Sequence, residues 1–160
     1  MASPSLIDTN ILVYCFDPRT PGKQHIARRL LQQHLARDAA ALPHQAVVEF
    51  VAAVTKTRAD LGGPLLTPAA ASRAAERLTR EFPILYPDEA VLSTALRGNV
   101  IYQLSWYDAH LWAYAEANGI PEILSEDFTH GRHYGSVRVR NPFLSAAGKV
   151  HELPPMYETD

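Results

Sequence analysis

The sequence predicts an α/β sandwich around a mostly parallel sheet. Two observations carry this. Short apolar runs at residues 5–8, 39–43, 83–86 and 120–127 read as strands, and the longer segments between them space their apolar side chains as helices do. Strands and helices therefore alternate, the pattern of a parallel sheet joined by crossover helices. At 160 residues, with no internal repeat, the chain is long enough for one domain with a substantial core. That domain is expected over 1–144, followed by a polar tail over 145–160 that contains Pro154-Pro155.

Taken in order, residues 5–8 form a strand ending at Asp8. Asp17-Pro18-Arg19-Thr20-Pro21-Gly22 is a loop by its proline and glycine content. From Lys23, the side chains Ile26, Ala27, Leu30, Leu31 and Leu35 mark one helical face, with Arg28, Arg29, Gln32 and Gln33 largely outside it. Residues 39–43 are a short buried strand. The next helix spans about 44–58, with Val47, Phe50, Val51 and Val54 facing the core and Glu49 off that face. Leu61-Gly62-Gly63-Pro64 breaks the chain. Thr67 is placed to cap a helix that has Pro68 at its first position and runs to about Phe82. After the strand at 83–86, Pro87-Asp88-Glu89 opens a helix expected to end near Gly98. The helices between 67 and 98 are expected to form an insertion beside the sheet. Ser105 starts the helix "SWYDAHLWAYAEANG", closed by Asn118-Gly119. "IPEILSED" is a strand ending in acids, "FTHGRHYG" is loop-like, and "VRVRNPF" alternates as a half-exposed strand does.

Composition narrows the function. The 47% apolar and 20% charged content is ordinary for a soluble globular chain. A net charge of −2 argues against a generic polyanion binder, but leaves room for a local basic surface beside an acidic site. Cys15 is the only cysteine, so no intrachain disulfide forms and a reducing cytosol is expected. No basic N-terminal region precedes a long apolar run, and no stretch approaches bilayer-spanning length, so neither a signal peptide nor a membrane partner is expected.

Four carboxylates stand at element ends. Asp8 and Asp127 end strands, Asp108 lies in the first turn of the helix from Ser105, and Glu49 lies in the first half of its helix. Ligands of an open parallel sheet bind beyond the carboxyl ends of its strands. Converging there, the acids would repel one another by roughly 4 kcal/mol per pair at 4 Å and an effective dielectric near 20. Such a group must take up protons or hold a cation. Hard oxygen donors suit Mg²⁺ or Mn²⁺, and the chemistry they favour is hydrolysis of a phosphodiester. Each acid also has an ordinary reading. Asp8-Thr9-Asn10 suits a turn and helix cap, Ser105 and Asp108 fit the spacing of a capping box, Glu49 suits an exposed helix face, and Glu126-Asp127 suits a solvated loop.

The stretches "LIDTNILVY", "HQAVVEF", "LSWYDAHLWAYAEANG" and "ILSEDFTHGRHYG", in this order, resemble the PIN-domain nucleases, and among them the toxin ribonucleases of VapBC toxin–antitoxin pairs. The resemblance spans Leu6 to about Phe143. It implies a three-layer α/β/α sandwich and an acidic quartet of Asp8, Glu49, Asp108 and Asp127, with Asp8 and Asp108 the firmest metal ligands. Asn10 fills the small polar position beside the first acid, and Ser125 the hydroxyl position before the last. Either Glu126 or Asp127 can be that last acid, with Asp127 favoured. The resemblance further implies an Mg²⁺- or Mn²⁺-dependent endoribonuclease acting on structured RNA such as tRNA or ribosomal RNA. It implies a homodimer and a cognate antitoxin able to place a basic side chain among the acids. The segment from Ser145 has no counterpart in the family.

Candidate cations for RNA are Arg132, Arg138 and Arg140 near the last acid, and Lys23 near the first loop. Arg138 and Arg140 alternate with Val137 and Val139, which also describes a solvated strand face. Trp106 and Tyr107 are candidates for stacking on a base, or for packing. A metal-independent ribonuclease would instead use His130 and His133 as acid and base. Other readings are a catalytically silent PIN-like binding module and a housekeeping RNA-processing nuclease.

Overall fold

The computed structural model describes residues 3–144. Six strands form one sheet: β1 (Ser5–Ile7), β2 (Ala40–Pro43), β3 (Ile84–Leu85), β4 (Glu122–Leu124), β5 (His133–Tyr134) and β6 (Val137–Arg140). Six helices surround it: α1 (Thr9–Tyr14), α2 (Pro21–Ala36), α3 (His44–Thr55), α4 (Pro68–Glu81), α5 (Glu89–Tyr102) and α6 (Trp106–Ala117). The strand order is β3-β2-β1-β4-β6-β5, parallel throughout except for β5 against β6. The segment expected over 145–160 lies outside the described residues.

Alternation along the strands builds the layers. Leu6 and Ile123 face one core, shared with Leu111, Trp112 and Tyr114 of α6. Ile7 and Leu124, their chain neighbours, face a second core with Ile11, Leu12, Phe50 and Leu78 from α1, α3 and α4. Successive side chains of a strand point to opposite faces. The result is an α/β/α sandwich with a mostly parallel sheet, as the element order predicts. Among the described residues, no helix is long and apolar enough to cross a membrane.

Three expectations change. Residues 67–98 are not an insertion: β3 pairs in parallel with β2, so α4 is a crossover helix and β3 is the sheet's edge strand. Residues 9–14, to which the sequence alone assigns no element, form a short helix capped by Asp8, in line with the cap reading of Asp8-Thr9-Asn10. The loop-like stretch "FTHGRHYG" contains β5, which turns back along β6. α5 continues past Gly98 to Tyr102. Gly98 is not a stop signal but a point of close approach: a Cβ there would lie 2.3 Å from Cζ3 of Trp112. The helix ends instead at Gln103, in the left-handed region with φ 54°.

The topology also locates a crevice. From β1 the chain crosses to β2 on one side, and later enters β4 on the other. The strand order therefore reverses between β1 and β4, and open parallel sheets bind ligands beyond the carboxyl ends at such a point.

Candidate active site

Asp8 follows β1 directly at this reversal, and Ser125 follows β4. Asp8 is buried and accepts from three partners. Its Oδ1 accepts the Thr9 backbone N–H at 2.6 Å, capping α1. Its Oδ2 accepts the Ser125 hydroxyl at 2.5 Å and the Asn10 amide at 3.3 Å. The helix-cap reading and the site reading of Asp8 are therefore not rivals, because one oxygen serves each.

Asp127 joins through the same two residues. The Asn10 amide donates to its Oδ2 at 2.9 Å, and its backbone N–H donates to Ser125 Oγ at 3.0 Å. Glu49 is held from both sides: Thr9 Oγ1 donates to Oε2 at 2.8 Å, and Gln45 Nε2 donates to Oε1 at 2.9 Å. Ser105 Oγ accepts the Asp108 backbone N–H at 3.2 Å, placing that acid in the first turn of α6. Glu126 is turned elsewhere. It accepts the Tyr14 hydroxyl and pairs with Lys23 Nζ at 2.8 Å.

Electrostatics shows that the acids feel one another. Burial pushes the Asp8 carboxyl up to about 7; the Ser125 and Thr9 hydrogen bonds oppose this, and the charges of Asp127 and Asp108 add to it. Asp108 is also raised, first by burial, with Ser105 opposing and the charges of Asp127 and Glu49 contributing.

Among the described residues, no three His, Cys, Asp or Glu side chains stand together as a ready-made metal-holding group. The donor set is nonetheless one of hard oxygens, and Asn10 Oδ1 is buried without a hydrogen-bond partner among the described residues. A buried acceptor left in that state costs free energy until a donor or cation reaches it. These features fit a divalent cation that keeps part of its water shell, as Mg²⁺ does, better than one fully enclosed by protein ligands.

A family model described as "PIN domain" matches residues 5–135. The chain belongs to the PIN-domain family. No curated protein matches it. Solved PIN-domain structures share its fold. A DNA-bound VapBC from Salmonella typhimurium is 12% identical, with a TM-score of 0.65, over 89% of this chain and 99% of that one. FitAcB from Neisseria gonorrhoeae is 22% identical, with a TM-score of 0.61, over 86% and 96%. VapC20 from Mycobacterium tuberculosis, described as a Sarcin-Ricin loop cleaving toxin, is 17% identical, with a TM-score of 0.60, over 76% and 88%. At these identities the likeness is one of fold.

The other candidates of this PIN domain are placed unevenly. Arg138 is exposed on β6, Arg140 Nε is tied to Glu122 at 2.6 Å, and Arg132 lies over the Tyr134 ring at 4.4 Å. Lys23 is held by Glu126. Tyr107 is 70% exposed, so it is not a core residue. His130 Nδ1 accepts the Asn141 backbone N–H at 3.0 Å, and His133 lies in the β5–β6 ladder. Sequence reasoning missed Thr9 and Gln45, both bonded to Glu49. Gln45 had a readable signal, since it lies one helical turn before Glu49 on the same face.

Proposed function

We propose that this PIN domain is a divalent-metal-dependent endoribonuclease acting on structured RNA of the tRNA or ribosomal RNA class, and the toxin of a toxin–antitoxin pair. One observation carries the reading: Ser125 and Asn10 join Asp8 to Asp127 at the point where the strand order reverses. Glu49 is one hydrogen bond from Thr9, the neighbour of Asp8.

In this reading Asp8, Glu49, Asp108 and Asp127 hold Mg²⁺ or Mn²⁺, with Asp8 and Asp108 the principal ligands. Bound there, the ion supplies a water of lowered pKa and neutralises charge developing on a phosphoryl group. The chain's residues prepare the site. The Ser125 hydroxyl and the Thr9 N–H favour ionised Asp8 against the cost of its burial. The Asn10 amide orients Asp127, and Thr9 orients Glu49. Arg138 is the exposed cation on β6 for an RNA phosphate, with Arg140 two residues on and Arg132 just before β5.

Partners follow by analogy with the VapBC and FitAcB structures. The proposal includes a homodimer, and a cognate antitoxin whose basic side chain would enter among the acids. An RNA substrate also favours a cytoplasmic location.

The test is cleavage of total cellular RNA by the purified protein with Mg²⁺ or Mn²⁺, with EDTA, and with Asp8→Asn. Discrete cleavage that requires metal and is lost in the variant is expected. Cleavage unchanged by EDTA and by Asp8→Asn would overturn the metal mechanism.

A further inference from the structure

The acids Glu49 and Asp108 sit on different helices, and one side chain spans the gap. Gln45 Nε2 donates to Glu49 Oε1 at 2.9 Å and to the Tyr107 carbonyl at 3.0 Å. Its Oε1 lies 2.5 Å from His110 Nδ1. Tyr107 and His110 flank Asp108 on α6.

The direction of these bonds is forced by chemistry. Glu49 and the Tyr107 carbonyl are both acceptors, so only the NH₂ end of Gln45 can face them. The flipped amide would set a carbonyl oxygen against a carboxylate and a second carbonyl. Gln45 Oε1 must therefore face His110, and His110 must carry its hydrogen on Nδ1. The imidazole is fixed in turn by packing: its ring lies 5.1 Å from Tyr114, edge-on at 88°, and 6.1 Å from Trp106. Two acceptors thus set the orientation of the amide, and a ring held by two aromatics engages its oxygen and braces it against the carboxylate.

We propose that Gln45, braced by His110, is a positioning residue that holds Glu49 and the Asp108-bearing turn of α6 at a fixed separation. The proposal rests on the metal-nuclease reading above. Gln45 touches neither substrate nor ion; it acts through Glu49 and through the backbone next to Asp108. Glu49 keeps one lone pair on each oxygen engaged, by Gln45 and Thr9, and the remainder is left for a cation. Partners of ligands that act in this way commonly contribute 10–100-fold to metal affinity or activity.

The experiment compares the full chain with Gln45→Met, which keeps length and packing but loses all three bonds, and with His110→Gln, whose amide can still donate to Gln45. Mn²⁺ affinity is measured by titration calorimetry, RNA cleavage as separate kcat and KM, and thermal stability alongside. The ¹⁵N shifts of the His110 ring report its tautomer. Expected for Gln45→Met are Mn²⁺ binding weakened about 10–100-fold, kcat reduced with KM little changed, and loss of the Nδ1–H preference at His110. His110→Gln is expected to retain most of the affinity. Gln45→Met with parental Mn²⁺ affinity and kcat would overturn the positioning role while leaving the nuclease reading intact. A loss of activity that only follows a loss of folded protein would also overturn it. A parent chain that neither binds Mn²⁺ nor cleaves RNA would remove both readings.

Discussion

Ser125 Oγ donates to Asp8 Oδ2 at 2.5 Å and accepts the Asp127 backbone N–H at 3.0 Å. One hydroxyl thus couples the first acid of the candidate site to the last. Ser125→Ala removes a bond that favours ionised Asp8, so the Asp8 pKa rises further. The acid limb of the cleavage pH profile is then expected to move to higher pH, with activity at pH 7 reduced about 10–100-fold. The pH dependence of kcat/KM for the variant checks this; an unmoved acid limb would count against the coupling.

Asp8 also makes the metal-free protein pH-sensitive. Its folded pKa of about 7 lies above the ordinary aspartate value of 3.8, so the folded state binds the proton more tightly than the unfolded state. This contribution to stability is complete below pH 3.8 and is lost as pH rises through 7. Asp8→Asn keeps a capping side chain and removes the titration. In EDTA at pH 8 it is expected to be more stable than the parent by about 2–4 kcal/mol, with the gap closing towards pH 4. Urea unfolding at both pH values measures the difference.

Cation binding should reverse that penalty. An ion that binds only the folded state adds about 2.7 kcal/mol at 100 times its Kd. Mn²⁺ is therefore expected to raise the melting temperature of the parent at pH 8, and to raise that of Asp8→Asn much less. Equal shifts in the two proteins would place the ion elsewhere.

Lys23 and Arg138 should behave differently towards RNA. Lys23 is paired with Glu126 and lies over the rings of Tyr14 and Phe143, whereas Arg138 is exposed on β6. Arg138→Gln is expected to lower the slope of log affinity against log salt by about 1, and Lys23→Gln to leave that slope nearly unchanged. RNA binding measured across a salt series, in an Asp8→Asn background, separates them.

Gly98→Ala tests the α5–α6 contact. The added Cβ would meet Trp112 at 2.3 Å, and overpacking of this kind costs about 1–3 kcal/mol. Chemical unfolding measures it. Mn²⁺ affinity is expected to be unaffected.

Much of the architecture was legible because it rests on local rules. Buried runs at 5–7 and 40–43 made strands, Thr67-Pro68 opened α4, and Ser105 opened α6. What was not legible depended on partners distant in sequence. The two residues of β3 are a strand because β2 lies beside them, and those of β5 because β6 does. α1 is only six residues long, too short to show a period, and its cap does double duty as a candidate site acid. Gly98 was misread because nothing local announces that Trp112 will lie against it. At the site, the four acids could be named as candidates from their places at element ends, but the links among them could not. The pairing of Glu126 with Lys23, and of Gln45 with His110, joins residues 103 and 65 positions apart.

The bond between Asp8 and Ser125 joins residues separated by 117 positions, and that between Asn10 and Asp127 does the same. No shorter N-terminal piece of the chain contains both sides of the centre. During synthesis, Asp8 leaves the ribosome more than a hundred residues ahead of its counterparts, which are among the last of the domain. The closing of this long loop is entropically costly and comes late in folding. A growing chain is thus expected to be inert until residues 125–127 have emerged. If the product cuts RNA, the ribosome making it is exposed to that activity only once the final strands can dock.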